Sequence, residues 1–459
     1  MKYISTRGGM KPIGFTEAIM CGLAPDGGLL LPEQLPDLSG ELEAWKDLSW
    51  QELAFEVLRR FATDIPDAAL VEMITAAYSG FRHPEVTPTV PVADFHVLEL
   101  FHGPTLAFKD VALQWLGNLF EYILQQQGGE LNILGATSGD TGSAAIYGVR
   151  GKAGIRIFIL HPEGRVSPVQ ELQMTSVLDD NVFNLAVEGS FDDCQHLMKS
   201  IFSDVDFKKQ YSLGAVNSVN WARVLAQTVY YFYSAFRVME RTGAETVQFA
   251  VPTGNFGDIL AGWLATRMGL PVQRLILATN ENDILSRFFR DGDYSTGSVR
   301  PTISPSMDIQ VASNFERYLF YRLGGDPAAL RTMMERFGRE KALRVEPENG
   351  EIDPLIRADR GTTEVVLETI RQTYEQSGYL LDPHTAVGVS VARELRLPDI
   401  PLICLATAHP AKFTDAIETA VGFTPHHEAI DALIGAPVRC DRVENQETAI
   451  RAYLTTRIA

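Results

Sequence analysis

From residue 131 the chain changes its hydrophobic period again and again. Short runs of Ile, Val and Leu ("LNILGA", "IRIFILH", "VFNLAVEG", then "VQFAVP" and "VQRLILAT") are separated by helical patterns. These patterns are a helix from Gly142, one after "SPVQ", one through "DDCQHLMKSIF" and one between the last two runs. Runs without polar alternation belong to strands buried on both faces, and strands that alternate with helices imply a mostly parallel sheet covered on both sides. An α/β core is therefore expected.

What surrounds the core reads differently. Residues 1–85 suggest a mainly helical N-terminal module: "SWQELAFEVLRRFA" carries Ser49 and Glu52 at capping-box spacing, "PDAALVEMITAAY" opens on a favourable Pro, and "LAPDGGLLLP" is a turn into a short strand. "HPEVTPTVP" reads as a linker, since its prolines defeat helix and central strand alike. The core is then expected over 86–430, with a smaller α/β subdomain at about 130–215 and a mainly helical stretch at 305–396. "PLICLAT" reads as a last strand, and 431–459 as a helical extension closing on "ETAIRAYLTTRI". Neither internal repeats nor low-complexity segments occur.

Charge narrows the partners. With 58 acidic residues against 40 Lys and Arg, the net charge of −18 repels nucleic acid and anionic lipid, so neither a nucleic-acid nor a membrane partner is expected. At 46% hydrophobic, the 459 residues can bury large cores, which suits chemistry on a small molecule. Cys21, Cys194, Cys404 and Cys440 are far apart and form no CxxC pair. "MKYISTRGGMKPIGFTEAIM" has no apolar h-region, and together with the cysteine pattern this gives a cytoplasmic expectation. His426 and His427 are adjacent and no HExxH occurs, so no metal is expected.

Five stretches offer chemistry. In "FHGPTLAFKDVALQ", Lys109 starts a helix among apolar neighbours, either as a snorkelling amine or as one kept for reaction. "VQFAVPTGNFGDILAGWLA" joins a buried-type strand to a helix through Gly254 and Gly257, an arrangement that serves a tight turn or an anion cradle. It is neither GxGxxG nor GxxxxGK[ST], so a nucleotide lacks its signature. "NILGATSGDTGSAA" sets Thr137, Ser138, Asp140 and Thr141 at a strand's carboxyl end, where ligands of open α/β sheets bind and where Ser and Thr also cap helices. "NSVNWARVLAQ" offers Asn217, Ser218, Asn220 and Arg223 at a helix start, as caps or as anion ligands. "CLATAHPAKF" ends a strand at Thr407, with His409 and Lys412 nearby. One lysine, two anion-type loops and a polar strand end suit a phosphorylated aldehyde cofactor.

"LELFHGPTLAFKD", "ATSGDTG", "NSVNWARVLAQ", "VPTGNFGD", "ATNEND" and "TAHPAKF", in that order, resemble the threonine synthase family, pyridoxal-phosphate enzymes of the tryptophan-synthase-β fold, fold type II. "YISTRG" and "GLAPDGGLLLP" resemble the N-terminal module of its bacterial and fungal branch. The resemblance implies large and small parallel-sheet domains, pyridoxal 5'-phosphate as cofactor, and conversion of O-phospho-L-homoserine and water to L-threonine and phosphate. It implies that Lys109 is the Schiff-base lysine, and its apolar neighbours favour the neutral amine that such attack needs. It implies cofactor contacts at Gly254, Asn255, Phe256, Gly257, Asp258 and Asp140, with Thr407 facing the ring nitrogen. Substrate contacts follow at Thr137, Ser138, Thr141, Asn217, Ser218 and Arg223. An ionised Asp140 would repel the ring's 3-oxygen, so this carboxyl must be protonated, turned to backbone amides, or paired with another donor. Threonine dehydratases and cysteine synthases of the same fold need no second phosphate site, and a cofactor-free binding protein would have no use for Lys109 and both loops. The oligomeric state stays open.

Overall fold

Two mainly parallel sheets organise the protein, one in each of two compact units of the computed structural model, which describes residues 1–458. Ala459, the last residue of the expected extension 431–459, lies outside the described residues. The larger unit comprises Met1–Ile74, Phe81–His102 and Ser218–Pro425; the smaller takes Thr75–Gly80, Gly103–Asn217 and the chain from His426.

In the larger unit the strand order is Ile356–Arg360, Val272–Thr279, Val247–Pro252, Leu402–Ala406, Phe95–Glu99 and Thr89–Val92. All neighbours are parallel except the last pair. Val247–Pro252 and Leu402–Ala406 are buried at every position, as central strands covered on both faces must be. Helix Pro383–Leu395 packs over Val272–Thr279 and Val247–Pro252, and helix Trp221–Thr242 against helix Gly257–Arg267. The N-terminal module has the expected Ser49–Glu52 capping box on helix Trp50–Arg59, and the short strand Leu30–Pro32 pairs with Tyr3–Ser5.

In the smaller unit the order is Asp441–Val443, Val182–Val187, Ile155–Pro162, Leu131–Ala136 and Leu213–Gly214, all parallel. The helix carrying Lys109, Lys109–Gln127, packs on helix Asp140–Val149. Their backbones nearly touch: a Cβ on Gly117 would lie 1.8 Å from Gly148 O, and one on Gly148 would lie 2.6 Å from Leu113 O. Only glycine admits that approach.

Four segments depart from expectation. Part of the "HPEVTPTVP" linker is the edge strand Thr89–Val92, where Pro91 is tolerated because an edge needs bonds on one side only. The stretch 305–396 contains strand Ile356–Arg360, and the C-terminal extension contributes strand Asp441–Val443 besides helix Glu447–Ile458. The helix expected from Gly142 starts at Asp140, because Thr137 Oγ1 accepts from Gly139 N–H at 3.0 Å and Gly142 N–H at 2.9 Å and closes the turn ahead of it. No helix of the described residues is long and apolar enough to cross a membrane.

Candidate active site

Lys109 is the first residue of its helix and is 8% exposed. The loop before it is closed by Asp110, whose carboxylate accepts from Thr105 N–H at 2.8 Å and Thr105 Oγ at 2.7 Å; Gln173 Nε2 donates to Thr105 O at 3.0 Å. The loop cannot shift without breaking buried hydrogen bonds, so the backbone from which the Lys109 side chain extends is fixed in place. Lys109 Nζ lies 3.6 Å from Asp140 Oδ2 and 5.1 Å from the centre of the Phe108 ring.

Asp140 is nearly buried, and Gln170 Nε2 donates to its Oδ1 at 2.8 Å. Ser167 Oγ in turn donates to Gln170 Oε1 at 3.0 Å. Of the three states open to Asp140, the structure presents pairing with donors: the Gln170 amide and the Lys109 amine. Asp140→Asn would keep an acceptor for Gln170 and lose the charge beside Lys109. It is expected to retain bound cofactor while moving the pH at which its visible absorbance changes by about one unit or more. Absorbance recorded across pH checks this; a profile identical to the parent's would remove Asp140 from the cofactor's surroundings. In the same loop Ser138 is exposed and Thr141 half-buried, while the Thr137 hydroxyl is engaged within the loop.

In the larger unit, the loop after Val247–Pro252 folds tightly enough that a Cβ on Gly254 would meet Ser306 O at 2.6 Å. Phe256 takes a left-handed conformation (φ +63°) as N-cap of helix Gly257–Arg267. Such a backbone costs a non-glycine residue roughly 1 kcal/mol or more, and aromatic packing offsets it: the ring is buried, stacked 5.8 Å from Phe289, with Phe315 at 5.3 Å edge-on. The side chain thus anchors the loop, and the first N–H groups of the helix lack intrahelical acceptors and remain for an anion.

The Asp258 side chain turns the other way. Its Oδ1 accepts from Tyr230 at 2.5 Å and Tyr231 at 3.0 Å, its Oδ2 is buried without a partner, and burial lifts the carboxyl to about 7 against the hydrogen bonds of the two tyrosines. A folded value above the unfolded 3.8 means that the cost of its charge grows as pH rises from about 4 and is fully present above about 7. Asp258→Asn is therefore expected to raise Tm by several degrees at pH 8 and far less at pH 4, a difference that calorimetry reads directly.

The loop before helix Trp221–Thr242 divides its labour. Asn220 is a helix cap, accepting from Ala222 N–H at 3.1 Å and donating to Ile19 O at 2.9 Å. Asn217 is exposed and Ser218 half-buried. Arg223 is 5% exposed, its Nε and Nη1 have no hydrogen-bond partner, and burial pushes the guanidinium down to about 10. A buried cation with idle donors is costly unless an anion meets it.

Thr407, at the end of Leu402–Ala406, is buried, and its N–H donates to Thr385 Oγ at 3.2 Å. Thr385 Oγ donates to Asp382 Oδ2, and Asp382 Oδ1 lies 3.0 Å from His384 Nδ1. His384 Nε2 accepts from Ser306 N–H at 3.3 Å, in the turn that covers Gly254. Sequence reasoning missed Asp382, His384 and Thr385; their signal was "DPHT", an acidic N-cap followed by Pro at the first helical position. It also missed Gln170, which no local pattern marks.

A family model described as "Pyridoxal-phosphate dependent enzyme" matches residues 82–352, and fold and site together define an enzyme of that class, mixed α/β and of fold type II. Models described as "Threonine synthase N terminus" and "Threonine synthase, C-terminal" match 2–78 and 385–454. The threonine synthase of Schizosaccharomyces pombe is 48% identical over 92% of this chain and 89% of its own. That of Pseudomonas aeruginosa is 47% identical over 99% and 98%. A solved structure of a PLP-bound threonine synthase from Brucella melitensis matches with a TM-score of 0.95 and 46% identity, covering 100% of this chain and 99% of that one. The chain belongs to the threonine synthase family.

The residues fit the cofactor of that family: a buried amine held beside a carboxylate, and a loop too tight for a side chain at Gly254 that leads into the N-terminus of a helix.

Proposed function

We propose that this enzyme converts O-phospho-L-homoserine and water to L-threonine and phosphate, acting in the cytoplasm on this one small molecule. The observation that carries the reading is Arg223. With the glycine loop assigned to the cofactor's phosphate, a buried guanidinium with idle donors on a different loop calls for a second anion. Substrates of dehydratases and cysteine synthases bring no phosphate to the reaction, whereas phosphohomoserine does.

Lys109 is assigned to hold the cofactor covalently, and Asp140, Gly254, Asn255, Phe256, Gly257, Asp258 and Thr407 are assigned to bind it. Bound pyridoxal phosphate supplies an electron sink for negative charge at the substrate's α-carbon. Lys109 Nζ takes and returns protons at Cα and Cβ, and Asp140, 3.6 Å away, orients the amine. Arg223, Asn217, Ser218 and Thr141 bind the phosphate that leaves Cγ, Arg223 through its fixed fork of N–H donors. Ser138 and the backbone of the loop held by Thr137 take the substrate carboxylate. Water adds at Cβ.

We assign a functional division into 1–85, 86–430 and 431–459; the gap between the first two family models, 2–78 and 82–352, supports its first boundary, whereas the third model, 385–454, runs across its second, and thiols at Cys194, Cys404 and Cys440 suit a reducing compartment. The deciding assay is phosphate release from O-phospho-L-homoserine with threonine identified as co-product. Release of 2-oxobutyrate in place of threonine would overturn the reading.

A further inference from the structure

Two loops of the larger unit that carry different assignments are tied together by a third segment that no motif marks. Ser313 Oγ lies 2.8 Å from Ser218 Oγ and donates to Asn255 Oδ1 at 3.2 Å. Asn314 Nδ2 donates to Ser218 O at 3.1 Å and Asn255 O at 3.2 Å, and Asn314 N–H donates to Asn255 O at 3.1 Å. Behind them Arg317, fully buried, donates to Asn314 Oδ1 and Val219 O, both at 2.6 Å, and to Leu30 O at 2.7 Å. The Asn314 amide is therefore used at both ends.

A hydroxyl has one proton. With that of Ser313 directed to Asn255, the 2.8 Å contact takes its proton from Ser218, and the chain runs Ser218 to Ser313 to Asn255. The carbonyl end of the exposed Asn255 side chain is held, which leaves its NH2 end to donate. Without Ser313 the Asn255 side chain would turn among rotamers.

We infer that Ser313 and Asn314 are positioning residues that join the two anion loops into one body, so that an anion at Ser218 and Arg223 tightens the hold of the Gly254–Gly257 loop on the cofactor phosphate, and the reverse. The first anion to bind orders both loops, and the second meets a loop already ordered. The effect is reciprocal by linkage. The inference rests on the proposed assignment of Ser218 and Arg223 to the substrate phosphate, and it makes the substrate's own phosphate a signal that secures the cofactor during turnover.

The test measures cofactor release from diluted holoenzyme, read from the loss of bound-cofactor absorbance, with and without saturating inorganic phosphate. Phosphate is expected to slow release about five- to tenfold in the parent. In Ser313→Ala the slowing should fall below about twofold, and Ser313→Thr, which keeps the hydroxyl, should restore most of it. Ser313→Ala should also raise KM for phosphohomoserine more than it lowers kcat, a split that general loosening of the fold would not give. Equal slowing in parent and Ser313→Ala, or no slowing in the parent, overturns the inference. Arg223→Ala separates the two layers: if phosphate still slows its cofactor release, the ion acts elsewhere and the assignment of Arg223 is what fails.

Discussion

Lys109→Ala is expected to lose turnover by about 10³-fold or more, because the same amine both holds the cofactor and moves protons at the substrate carbons. The variant should also yield no lysine-linked cofactor after borohydride reduction and digestion. Among the described residues two lysines are buried, Lys109 at 8% and Lys412 at 2% exposure. Lys412 is therefore the rival amine, in the short turn Pro410–Lys412 of the larger unit. A reduced linkage recovered at Lys412 from the parent enzyme would move the attachment there. Recovery at Lys109 from the parent, and its absence from the variant, fixes the assignment.

Arg223 gives the second large effect, and it acts on stability and function in opposite directions. Burial alone pushes its guanidinium down to about 10, which corresponds to roughly 3 kcal/mol against the charged form. A base whose folded value lies below its unfolded one bears that cost in full below about pH 10, so it is present throughout the neutral range. Arg223→Met keeps most of the side chain's volume and removes the charge. The variant is expected to unfold a few degrees higher than the parent in phosphate-free buffer, while kcat/KM for phosphohomoserine falls about 100-fold or more. Inorganic phosphate should raise the Tm of the parent and not that of the variant. A variant with lowered Tm and unchanged kcat/KM would make Arg223 a structural residue with no ligand.

The strands that the sequence reveals are those buried on both faces. Val247–Pro252 and Leu402–Ala406 consist almost wholly of apolar side chains because no face meets water. Edge strands carry no such mark: Ile356–Arg360 has an exposed end and reads "IRADR", Asp441–Val443 reads "DRV", and Thr89–Val92 contains a proline. Their strand character comes from a neighbour that offers hydrogen bonds, which composition does not record. The candidate site divides in the same way. Lys109 and the two glycine loops are legible because each is a local pattern at the junction of a turn and a helix. Ser313 and Asn314 are 95 and 96 residues from the serine they hold. Gln170 is 30 residues from Asp140. Contacts of that range have no periodicity and become visible only once the chain is folded.

The contact between Gly117 and Gly148 bears on how freely a sequence of this kind can drift. Lys109 and Asp140 begin the two helices that meet there, so their spacing is set by main chain against main chain, not by the sizes of intervening side chains. Substitutions among the surrounding apolar residues can exchange volume with one another and leave that spacing intact. The two glycines have no such freedom, since any side chain would push both helices apart and carry the amine away from the carboxylate. Tolerance to mutation in this unit is thus set by its smallest residues, and a library randomised over both helices should return glycine at 117 and 148 while its larger neighbours vary.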